Sequence, residues 1–189
     1  MRLFFLGRYR LLALVSLLAL FWPPAAGAQS TLPKPQLDCL VERSRKVRIE
    51  GGDHDDKTER ISFDINLTNK NWKEPVEGLT GTFYVFGQSV HDRKAFKLVQ
   101  KETFPVQIDA RGKFTTTTPV VEMKFDTTFA SFGEKYRGWV LRLENGDDKT
   151  VFEQASSVFL SDTERLPKLA VGEFCDKETK KIAEPKRKN

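Results

Sequence analysis

Two histidines, two cysteines and two methionines among 189 residues leave this chain short of the side chains that most often build metal centres and nucleophilic sites. Gly-x-Ser-x-Gly is absent, so the strand-to-helix elbow of a serine hydrolase is not expected. There is no Cys-x-x-Cys, the usual spacing of a redox dithiol, and no phosphate-cradling glycine loop. His54 stands in Gly51-Gly-Asp-His-Asp-Asp56 and His91 precedes Asp92, both in stretches that read as loops. Carboxylates and an imidazole on a tight loop can converge on a cation. The spacing at 51–56 matches no EF-hand, however, and a solvated acidic turn is the plainer expectation. No catalytic residue, cofactor or metal is expected, and a hydrolase using the His54 or His91 loop is the remotest of the functional readings.

The basic excess is also smaller than it first looks. The chain has 31 Lys and Arg against 26 Asp and Glu, yet the stretch from Gln29 to Cys175 holds 22 basic and 23 acidic residues. A nucleic-acid footprint needs cations clustered on the folded body, so no nucleic-acid partner is expected. Much of the surplus sits at the two ends. Arg2, Arg8 and Arg10 precede the apolar run Leu11 to Trp22, which is followed by Pro23-Pro24 and by Ala26-x-Ala28. That order predicts a secretory signal peptide over 1–28 and an exported protein, periplasmic or extracellular. Residues 29–45, with Pro33 and Pro35, read as an extended leader, 46–175 as one domain, and 176–189 as a basic disordered tail able to touch an anionic envelope surface. Cys39 and Cys175 flank the patterned region, and in an oxidising compartment they are expected to form a disulfide.

What the sequence does have is alternation. Ile61, Phe63, Ile65 and Leu67 alternate with polar residues, as a strand with one dry face must. Leu79 to Phe86 and Val120 to Thr127 read the same way, Val47 to Glu50 begins a first strand, and Pro105 marks an edge or a bulge in Ala95 to Ile108. The clearest unit is a hairpin from Tyr136 to Gln154 around Asn145-Gly-Asp-Asp148, with Trp139, Leu141 and Leu143 on its dry face. Charge favours a four-residue loop, with Glu144 opposite Lys149 and Leu141 opposite Phe152. Ser161-x-x-Glu164 predicts one capped helical turn that Pro167 ends. About seven short strands with scarcely any helix predict an all-β fold, an immunoglobulin-like two-sheet antiparallel sandwich.

The succession Ile61-Ser-Phe-Asp-Ile-Asn-Leu-Thr-Asn69, Leu79 to Phe86, and Arg137-Gly-Trp-Val-Leu-Arg-Leu143 followed by Ala155-Ser-Ser157 resembles small secreted bacterial immunoglobulin-like or fibronectin-like sandwich proteins. Some proteins of that kind accompany type IV pilus-like machinery. The resemblance implies a non-enzymatic interaction module that binds protein partners in an envelope assembly. A carbohydrate-binding module is the alternative, and Trp72 and Tyr84 are its candidate ligand-facing aromatics, with Trp139 a third if exposed.

Overall fold

Alternation does build strands here, and it runs further than the sequence reading placed it. The computed structural model describes residues 35–49, 57–126 and 132–186. Its strands are β1 (Leu37–Ile49), β2 (Lys57–Asn69), β3 (Val76–Ser89), β4 (Phe96–Ile108), β5 (Lys113–Thr117), β6 (Val121–Asp126), β7 (Phe132–Glu144), β8 (Thr150–Ala155), β9 (Phe174–Cys175) and β10 (Lys181–Ile182). The ten strands form one antiparallel sheet that does not close, in the order β1-β2-β6-β7-β3-β4-β9-β10, with β5 also on β2 and β8 also on β7. No α-helix occurs among the described residues. The expected signal peptide and the loop holding His54 lie outside them.

β3 is the centre of the molecule. It pairs with β4 on one edge and β7 on the other, and Gly81 to Phe86 are buried without a break. Successive strand residues point to opposite faces. Phe83 and Val85 therefore join a cluster with Ile61, Phe63 and Ile65 of β2 and with Leu141 and Leu143 of β7. Tyr84 and Phe86 point the other way, into a second cluster with Phe96, Leu98, Phe159, Leu166 and Cys175. Phe63 and Phe83 touch with ring centroids 5.1 Å apart, so β2 lies across the core from β3 although β6 and β7 separate them in pairing order.

The β6–β7 joint is short: its ladder has only two pairs, Phe125 with Gly133 and Asp126 with Phe132. Gly133 has φ +78°, and a Cβ there would stand 1.8 Å from the Lys124 carbonyl oxygen. Only glycine fits this joint.

Several sequence expectations need correction. The leader assigned to 29–45 is outside the described residues up to 34, and from Leu37 it belongs to β1, which pairs with β2 over all thirteen of its residues. Ten strands replace seven. The stretch read as disordered from 176 contains β10, paired to β9 through a turn in which Asp176 Oδ1 accepts the N–H groups of Glu178 and Lys180. The hairpin pairs Glu144 with Thr150 across a loop one residue longer than expected, and Val151 is a further unpaired residue, so Leu143 faces Phe152 and Arg142 faces Glu153, two positions from the expected register. Arg142 is buried, and it pairs with Glu144 and Glu153, both at 3.4 Å, while its Nη1 donates to the Thr163 carbonyl at 3.0 Å. The helical turn is a three-residue 3-10 segment, Leu166–Lys168, without a side-chain cap; the Glu164 N–H instead bonds Asp162 Oδ1.

The disulfide is the largest correction. Cys39 packs half-buried against the first cluster and Cys175 is buried in the second, on the other face of β3, and both are free thiols. The two thiols pack in separate clusters and no bond joins them.

The joint yields a direct test. Gly133→Ala should lose about 2 kcal/mol or more in urea unfolding, because its Cβ strikes backbone that has no soft neighbour to displace. Gly146→Ala, at a hairpin tip with nothing within 4 Å, is the control and should stay within about 1 kcal/mol of the parent.

Candidate functional site: a basic cleft beside an edge strand

The inward face of β1 reads Leu37, Cys39, Val41, Arg43, Arg45, Val47, Ile49. Its first three residues pack on the core, and from Glu42 onward every residue of the strand is exposed. The face thus changes from apolar to cationic where core cover ends. Opposite it in register, Arg43 meets Phe63, Arg45 meets Ile61 and Val47 meets Glu59. The arginine stems lie on apolar neighbours while the guanidinium groups reach past them.

At that point the fold leaves a cavity of about 500 Å³ between β1, β2, β6 and β7. Arg43, Arg45, Lys57 and Lys135 line it together with Glu59, Phe125 and Tyr136. Arg43 Cζ is 4.7 Å from the Tyr136 ring centroid, and Lys135 Nζ is 5.2 Å from that of Phe125. Glu59 is only 2% exposed and its carboxylate accepts from Arg45 Nε. A carboxylate so buried needs a partner, and Arg45 is it. Among the described lining residues Glu59 is the one acid, so Arg43, Lys57 and Lys135 face the cavity without a carboxylate of their own there. Burial holds the Tyr136 hydroxyl above its ordinary pKa, against the opposing effects of its hydrogen bond to Ser156 and of nearby Arg43, so it stays a neutral donor.

The cleft abuts an open edge. Among the described residues β1 pairs on one side only, with β2. Near its start the other side is engaged once, where Gln154 Nε2 of β8 donates to the Cys39 carbonyl at 3.3 Å. Cationic groups and aromatic faces beside a free backbone edge can contact an anionic group or an added strand.

Sequence-predicted residues are scattered. Tyr84 is 2% exposed and Trp139 is buried, so neither faces a ligand; both sit on the strands that seal the core. Trp72 is 62% exposed in the β2–β3 turn, with Lys73 Nζ at 4.7 Å and Arg111 Cζ at 5.9 Å from its ring, far in topology from the cleft. His91 lies in the β3–β4 turn, its N–H donating to Ser89 Oγ at 3.2 Å. No group of three or more His, Cys, Asp or Glu that could hold a metal ion occurs among the described residues. The cleft residues were missed because they come from four separate strands. The period of two from Leu37 to Ile49 was the available signal.

No protein-family model and no curated protein matches this chain. A crystal structure from Akkermansia muciniphila is similar over 72% of this chain and 78% of that one, at 13% identity and a TM-score of 0.29, too low to argue from.

Burial gives the thiols and Tyr84 a testable signature. Desolvation pushes Cys39 from 9.0 to about 11 and Cys175 to about 12, and it raises Tyr84 from 10.0 to about 12 despite Arg142 nearby. Each group keeps its proton in the fold at a pH where the unfolded chain has released it. Their stabilisation is therefore complete below about pH 9 and lost progressively as pH rises toward about 12. Melting temperature should fall across that window, and at about pH 7 it should be the same with and without reductant. A reductant-dependent shift would mean that the cysteines pair after all.

Proposed function

We propose that this chain is a non-enzymatic exported interaction module that binds a protein partner in the cell envelope, in the periplasm or at the cell surface. The observation that carries this is β1, a thirteen-residue strand paired on one side only among the described residues. Proteins seldom leave such an edge unguarded, because its N–H and C=O groups template pairing with any exposed strand. Here Arg43, Arg45, Lys46 and Arg48 repel a second copy of the same edge while leaving it open to a partner of other composition.

In this reading the sheet is folded over at the β6–β7 joint into two layers of the immunoglobulin-like kind, one led by β1 and β2, the other by β3, β4, β7 and β8. The Phe63–Phe83 contact supports it. Export rests on the signal-like pattern of residues 1–28. Carbohydrate binding retains only Trp72 of its three aromatics, and a single exposed indole makes a poor sugar platform.

A photo-crosslinking residue at Ser44 or Lys46 should give one discrete protein adduct in envelope extract. The same group at Val158, which is almost fully exposed on the segment after β8, should not. Identical adducts at both positions, or none at either, would count against an interface at β1.

A further inference from the structure

We infer that the partner supplies an extended acidic segment, which adds to the sheet along the second half of β1 and turns alternate carboxylates into the cleft. This rests on the interaction-module reading above and names the chemistry of its partner.

The charge balance points to an anion. From Gln29 to Cys175 basic and acidic residues nearly cancel, 22 against 23, yet among the described residues lining the cleft four cations surround one acid that is already paired with Arg45. Cations crowded at one mouth of a near-neutral body raise each other's cost unless an outside anion joins them.

The spacing points to a strand. Arg43 and Arg45 repeat every second residue, a repeat of about 6.6 Å along the chain. A strand laid beside β1 about 4.8 Å away presents its own inward side chains at the same repeat, so successive carboxylates meet successive cations. A polyanion with another repeat cannot match both arginines and the backbone edge together. The location follows from Gln154, whose bond to the Cys39 carbonyl occupies the first part of that edge. The open part is Glu42–Ile49, which flanks the cleft. Phe125 and Tyr136 supply apolar wall for the stems of the entering side chains.

The test uses the full chain and labelled peptides of about nine residues that alternate glutamate with threonine, read by fluorescence anisotropy. Controls are the lysine-for-glutamate peptide, the glutamate peptide N-methylated at alternate nitrogens, and inorganic polyphosphate. The glutamate peptide should bind at least about tenfold more tightly than each control, and Lys135→Glu or Arg43→Glu should weaken it by about tenfold or more at an unchanged melting temperature. Should Arg43→Glu fail to fold, Lys135→Glu, whose ammonium only overlies Phe125, carries the test. Equal binding of the N-methylated peptide or of polyphosphate would overturn strand addition. Failure of the glutamate peptide while crosslinks at Ser44 persist would overturn the acidic partner but leave the interaction module standing. Loss of the crosslinks themselves would remove the module reading first.

Discussion

Everything in this fold depends on β3 being satisfied on all four sides. Its backbone is paired on both edges and its side chains are buried on both faces, an arrangement that parallel sheets reach with helices and antiparallel sheets seldom need. One face is covered by β2 and β6. The other is covered by the stretch from Phe159 to Cys175, which contributes Phe159, Leu160, Leu166 and Leu169 yet has almost no regular structure. Phe159 meets both Phe86 and Phe96 edge-on, at 5.5 and 5.6 Å, so this irregular segment is core by packing. Buried Arg142 holds it in place through the Thr163 carbonyl.

Much of this was legible and some was not, for definite reasons. β2 could be read because its alternation is uninterrupted and one face is dry. β1 was placed only at its far end, Val47 to Glu50, because Arg43-Ser-Arg45-Lys46 separates that end from the short alternation Leu37, Cys39, Val41, which follows Pro33 and Pro35 and reads as a leader. The hairpin was found but its register was not: a loop one residue longer than expected and the unpaired Val151 together defeat counting from the turn. The disulfide was inferred from cysteines at the two ends of the pattern, an argument blind to which face each would occupy. The β9–β10 hairpin carries no apolar period at all. It is organised by the Asp176 side chain and by Thr179 at φ +54°, a local device that composition hides.

The cleft illustrates why a surface site is harder to read than a core. A core face repeats along one strand, whereas Arg43, Lys57 and Lys135 are brought together only by the pairing of β1 with β2, β2 with β6 and β6 with β7. Net charge averaged over the body concealed them, because a near-zero total says nothing of where the charges gather.

The β1–β2 ladder has a mechanical consequence. All thirteen residues of β1 are matched with β2 in one unbroken antiparallel register. A tug on β1 along its own axis stretches those hydrogen bonds simultaneously, in shear, whereas a pull across the strand would peel them off one by one. A tether that grips β1 lengthwise therefore loads the whole ladder at once rather than one bond at a time.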